Sequence, residues 1–214
     1  TGLIQSKPFS TLKDFPWVAL IIIDQKKYKS GALVSHKHVV ASAYSVSYWD
    51  ERTKKYVNAR LYRFKVHLGA LQDSGSRQVF NPVKIVNHPQ LNRVDETRVN
   101  DVAVITLDRH VEFDEFTRPV CLWTFDDDLS LIANSPIYAV GYGRDETAED
   151  SKIKKHAKVT LEHQQKCKAV YSDQSNFFKA TKAFCIKGSE AGTPCYYDDH
   201  IFVKFNDKWF LRGT

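Results

Sequence analysis

Asn100-Asp-Val-Ala-Val-Ile-Thr-Leu107 ends in six β-branched or aliphatic residues that read as a strand. The same kind of run recurs outward from it. Trp17-Val-Ala-Leu-Ile-Ile-Ile23, Ala32-Leu-Val34, His38-Val-Val-Ala41 and Tyr62-Arg-Phe-Lys-Val-His-Leu68 are all rich in strand formers. The last alternates, as a half-buried antiparallel strand should. His36-Lys-His38 and Gln72-Asp-Ser-Gly75 punctuate these runs. One helix is expected, over residues 161–172, with Glu162, Gln164 and Gln165 on its exposed side. There is no internal repeat and no low-complexity linker. The pattern predicts an all-β fold, barrel or sandwich.

The bulk numbers set the frame. A chain of 214 residues holds one large domain or two small ones that share an interface. A hydrophobic share of 43% supports a packed core rather than disorder. No apolar run reaches the ~18 residues of a membrane-spanning helix, and Val18-Ala-Leu-Ile-Ile-Ile23 has strand length. The N-terminus carries no leader-like segment, and the lack of any Met fits a processed chain. The net charge of +6 attracts anionic surfaces mildly, because both signs are well mixed. Cys121, Cys167, Cys185 and Cys195 are widely spaced and form no C-x-x-C pair. That argues against zinc and suits an oxidised, secreted protein, with three pairings open.

Several segments, in order, resemble the chymotrypsin/trypsin-like serine protease family. Phe15-Pro-Trp17 resembles the entry to its first strand. Ser30-Gly-Ala-Leu-Val34 and Val39-Val-Ala-Ser-Ala-Tyr44 resemble its Gly-Gly-x-Leu-Ile and Val-x-Thr-Ala-Ala-His stretches. Asn87-His-Pro89 and Asn100 to Leu107 resemble its His-Pro and Asn-Asp-Ile-Ala-Leu segments. Arg118-Pro-Val-Cys-Leu122, Val140-Gly-Tyr-Gly143, Ala183-Phe-Cys185 and Trp209-Phe-Leu-Arg-Gly213 complete the set. Residues 118–145 are similar to the clip-domain and modular proteases of arthropods. The resemblance implies a trypsin-like domain over 1–214, built of two six-stranded antiparallel barrels at about 15–117 and 118–214. The active site would lie in the cleft between them. The resemblance leaves open whether a last strand and C-terminal helix lie beyond Thr214.

Family chemistry needs a histidine base, an aspartate to orient it and a nucleophilic serine. The resemblance places Tyr44 where the histidine stands. A phenol keeps its proton at neutral pH and is a poor general base. Asp101 matches the aspartate, and Asp199 falls at the serine. Tyr197 and His200-Ile201 replace glycines whose backbone shapes the oxyanion hole. Loss of base and nucleophile costs roughly 10⁶ in rate. The degenerate triad positions are therefore Tyr44, Asp101 and Asp199, and no catalytic residue is assigned. Thr193 sits at the base of the specificity pocket in place of the aspartate of trypsin-like enzymes. Ile4-Gln-Ser-Lys7, preceded by Leu3, holds the place of the activation terminus, so a trypsin-like activating cut is not expected.

The resemblance also implies a Cys167–Cys185 disulfide and the loss of a first-barrel disulfide, with Lys29 and Ser45 in its places. Cys121 matches a cysteine that often ties the domain to an N-terminal propiece. The partners of Cys121 and Cys195 stay open. Tyr196, Tyr197 and His200 are candidates either for partner binding or for filling the cleft. Lys152, Lys154, Lys155, His156 and Lys158, extended by Lys26, Lys27 and Lys29, are candidates for a heparin-like polyanion or a solvated face. His36, Lys37 and His38 read as a turn, and the Asp198-Asp-His200 run is set aside as a metal site. No cofactor and no metal are expected, and no membrane or nucleic acid partner. The expected function is that of a secreted, non-catalytic homologue that binds a protease, zymogen or substrate of an innate-immune or clotting-type cascade. The alternatives are a residual or unconventional hydrolase and a polyanion-binding module.

Overall fold

The computed structural model describes residues 13–69, 78–94, 97–144, 150–170, 183–188 and 200–214. Its first half runs β1 (Val18–Ile23), β2 (Lys27–Leu33), β3 (His38–Ala41), α1 (Ala43–Val46), β4 (Ser47–Asp50), β5 (Lys55–Asn58), β6 (Phe64–Leu68), β7 (Gln78–Phe80), β8 (Pro82–Asn87), β9 (Asn92–Val94), β10 (Thr97–Val99) and β11 (Ala103–Leu107). The second half runs β12 (Cys121–Leu122), β13 (Ile137–Arg144), β14 (Asp150–Glu162), α2 (Gln164–Val170), β15 (Cys185–Gly188), β16 (His200–Phe205) and β17 (Lys208–Gly213).

Two large sheets result, ordered β7-β6-β1-β2-β3-β11-β8 and β12-β17-β16-β13-β14-β15. This nearly all-β arrangement is consistent with the trypsin-like double barrel. The first sheet counts seven strands because β7 extends its edge, and in the second the short β12 runs parallel to β17. β4–β5 and β9–β10 form separate two-stranded hairpins.

Turn chemistry fixes the register. Asp24 and Gln25 both have positive φ, 49° and 61°, and Lys26 N donates to Ile23 O. That is a type I′ turn, whose twist suits the β1–β2 hairpin. Asn206 and Asp207, at φ 48° and 58°, do the same for β16–β17, where Phe205 faces Lys208. Gly31 has a packing reason to be glycine: a Cβ there would lie 2.5 Å from Val39 Cγ1.

Each half has its own apolar interior. Leu20, Ile21, Leu33, Phe64, Phe80, Ile105 and Leu107 fill the first. Ile132, Ile137, Val159, Val203 and Phe210 fill the second. Val140, Tyr142, Phe202 and Leu211 of the second half pack into the first cluster, so the two interiors join. At this seam the β13–β14 register breaks between Gly141 and Gly143. Tyr142 has no strand partner there. Ser30 of β2 supplies one: its Oγ accepts from Tyr142 N at 2.6 Å and donates to Tyr142 O at 3.0 Å. Both residues are buried.

Two sequence expectations need correction. The helix begins at Gln164, because Leu161 and Glu162 are the last rungs of β14, paired with Ile186 and Cys185. Glu162 is half-buried rather than exposed. Its carboxylate accepts from His163 N and pairs with Lys166 and Lys187, which holds it well below its usual range, at about 2. The residues 171–172 expected in this helix lie outside the described ones, as does the turn expected over 72–75. The alternation of Tyr62 to Leu68 also fails at both ends. Tyr62 belongs to a 3₁₀ turn and is exposed, while His67 is buried beside Val66 and Leu68, where β6 runs between β1 and β7.

Candidate functional site

The sheet register builds the site. β3 and β11 pair Ala41 with Ala103, so the chain leaving β3 meets the chain entering β11. Asn100, at φ 56°, turns the backbone into Asp101. Ser42 is the N-cap residue of α1 but makes no side-chain capping bond of its own. Its hydroxyl donates instead to Asp101 Oδ2 at 2.7 Å. Asp101 Oδ1 accepts from Tyr44 N at 2.8 Å. The carboxylate therefore caps α1 from a distant part of the sequence, meeting an amide that the short helix leaves unpaired. The Thr214 hydroxyl donates to the Asp101 carbonyl at 3.2 Å.

Tyr44 is 45% exposed. Arg98 on β10 lays its guanidinium 3.3 Å from the ring centroid, and Lys29 Nζ lies 5.6 Å from it. Cations over a phenol face are attracted by the ring quadrupole. Sequence reading marked Lys29 as a vacated disulfide position and passed over Arg98. The juxtaposition is made by α1, β2 and β10 and leaves no local signal. Ser45, the other vacated position, is buried.

His200 opens β16 and is wholly buried. Its Nε2 lies 3.2 Å from Val40 O, and its ring stacks on Phe202 at 6.3 Å. Cys167 on α2 is bonded to Cys185 on β15, with S–S 2.08 Å. Cys121 is exposed on β12 and has no disulfide partner among the described residues. Tyr196, Tyr197, Asp198, Asp199, Thr193, Cys195, Leu3 and residues 4–7 lie outside the described residues. The structure thus brings Tyr44 and Asp101 together and places His200 in the interior.

The basic row on β14 is not a uniform solvated face. Lys154 is half-buried, and its Nζ donates to Asp14 O at 2.6 Å and Phe15 O at 3.4 Å. Burial pulls its ammonium down to about 8. His156 nearby is also lowered, first by burial.

Phenoloxidase-activating factor 1 of Holotrichia diomphalia is 25% identical over 94% of this chain and 59% of that protein. CLIP domain-containing serine protease B15 of Anopheles gambiae is 26% identical over 93% of this chain and 57% of that protein. Melanization protease 1 of Drosophila melanogaster is 26% identical over 96% of this chain and 56% of that protein. The chain thus spans less than two thirds of the length of these relatives. The family model described as Trypsin matches residues 4–198, and the chain belongs to the trypsin-like serine protease family.

Proposed function

We propose that this chain is a catalytically inactive serine protease homologue, secreted, that works by binding. It serves as adaptor, cofactor or decoy for a protein component of an extracellular protease cascade. The observation that carries the reading is the phenol of Tyr44 beside Asp101. The aspartate's two carboxylate oxygens serve Ser42 and the Tyr44 amide, and residue 44 offers a phenol where a base is needed. The names of two relatives, a phenoloxidase-activating factor and a melanization protease, supply the cascade setting. On this reading the domain has two halves meeting near Arg118, and Tyr44, flanked by Arg98 and Lys29, is a reachable feature of its surface. By resemblance Tyr197 and His200 take oxyanion-loop positions and Asp199 that of the nucleophile, and buried His200 fills space rather than contacting a partner. The polyanion alternative is weakened by Lys154, whose ammonium turns inward to two carbonyls.

The test is labelling of the folded protein with a broad fluorophosphonate probe. No labelling is expected, and stoichiometric labelling would restore the hydrolase reading. A pull-down from the source's own body fluid, read by mass spectrometry, then identifies the partner. Recovery of a protease, zymogen or cascade substrate is the expected result.

A further inference from the structure

Arg93 and Arg98 face each other across the β9–β10 hairpin. Cross-strand partners put their side chains on one face, with Cβ atoms about 5 Å apart, and like charges set there repel. The fold meets these cations with rings. Arg98 lies 3.3 Å from the Tyr44 centroid and Arg93 lies 6.0 Å from that of Trp49. Among the described residues Arg93 also has a carboxylate, Glu51 Oε1 at 3.5 Å, but Glu51 is shared with Lys54. The nearby Asp101 carboxylate is taken by Ser42 and the Tyr44 amide. Asp95 and Glu96 of the hairpin turn lie outside the described residues.

Two features point to an anionic ligand. The first is the state of Arg98. At 3.3 Å its guanidinium plane has to lie along the phenol ring, since an edge-on approach would drive a nitrogen into the ring carbons. The stack covers one face and leaves the N–H edges of the fork uncovered. Arg98 is half-buried and makes no hydrogen bond or ion pair among the described residues. None of its nitrogens is among the buried unpaired atoms, so the fork stays open to solvent. A planar carboxylate fits such a fork with two parallel bonds. The second is the charge around it. Lys29 Nζ stands 5.6 Å from the same ring, and Arg93 is opposite. Tyr, Trp and Arg are also the residues that dominate protein interfaces.

We propose that the surface over Tyr44, Arg98 and Arg93 is a docking site for an acidic segment of a partner protein. One carboxylate is held by the Arg98 fork, and the charge beside it is met by Arg93 and Lys29. The proposal rests on the reading that this chain works by binding protein, and it gives the chemistry of the partner.

The experiment is fluorescence anisotropy with a labelled peptide, Gly-Glu-Glu-Gly-Glu-Glu-Gly, against its glutamine counterpart. The acidic peptide should bind and saturate, and the glutamine peptide should not. Arg98→Gln should weaken binding about tenfold, the loss of a charge-assisted pair. Tyr44→Leu removes the ring under the guanidinium and should weaken it about threefold, an independent reading if Arg98→Gln does not fold. Lys208→Gln removes the same charge from the exposed β16–β17 turn and should leave the affinity unchanged. No binding at millimolar peptide overturns the proposal. So does an equal loss in Lys208→Gln and Arg98→Gln, unchanged affinity in both Arg98→Gln and Tyr44→Leu, or binding of a heparin fragment where the peptide fails. Peptide binding by a protein that also takes the fluorophosphonate probe supports this surface and sinks only the inactive reading.

Discussion

The hydroxyl of Ser30 serves the backbone of Tyr142 twice, accepting from its amide and donating to its carbonyl across the seam between the two halves. The break in the β13–β14 register is what leaves both groups of Tyr142 to be met from outside their sheet. Ser30→Ala should therefore cost about 3 kcal/mol, because two buried backbone groups lose their partner. Thermal or urea unfolding measures it. A loss within experimental error would mean that the seam is held by apolar packing alone.

Asp101 is predicted to matter for stability whether or not any peptide is cleaved. Asp101→Ala removes the acceptor from Ser42 and from the Tyr44 amide and should cost about 2 kcal/mol. Urea denaturation reads the loss directly, and an unchanged midpoint would show that the cap is dispensable.

Tyr44→His puts an imidazole beside Asp101, and adding Asp199→Ser puts a hydroxyl at the position that the proposed reading gives to the nucleophile. The double variant should still fail to hydrolyse a chromogenic arginyl peptide above the background of the unsubstituted protein. Measurable turnover would show that the rest of the cleft is still competent.

Glu162 gives a stability that depends on acid. Its carboxyl lies at about 2 in the fold against an ordinary 4.5, chiefly through the His163 amide and then Lys187 and Lys166. The unfolded chain thus binds the proton first as pH falls. The stabilisation is whole above pH 4.5 and is lost between there and about pH 2. Glu162→Gln should be less stable than the parent at neutral pH, with the gap closing through that window. A gap that does not change with pH would remove the carboxylate from the account.

Lys154 works in the opposite sense. Its amine lies at about 8 in the fold against 10.5, because burial disfavours the charged form, partly offset by Asp14. Between those values the unfolded chain holds more protons than the folded one, so this residue's contribution to stability rises with pH. Unfolding midpoints of the parent relative to Lys154→Met, followed from pH 7.5 to about 10.5, should move in the parent's favour. A flat difference would mean that the ammonium is better solvated than its setting implies.

The strands were legible where they are written in β-branched residues, as in Val102 to Leu107, because branched side chains favour extended backbone wherever they occur. The β16–β17 hairpin is written differently. Its strands mix aromatic and charged residues, and its clearest signal is the Asn206-Asp207 turn. The helix near residue 164 was visible, but its start was not, since the pairing of Leu161 with Ile186 is a long-range fact. The same holds for the site. Resemblance located Tyr44 and Asp101 on the chain, while the stacking of Arg98 on Tyr44 exists only after folding.

The cap that Asp101 places on α1 has an evolutionary consequence. A side chain that the fold needs is retained by selection against unfolding, even in a lineage where selection for turnover has lapsed. On the proposed reading, the presence of this aspartate carries little news about activity. The more informative position is residue 44, an exposed tyrosine whose ring carries the Arg98 guanidinium rather than a structural hydrogen bond to the fold.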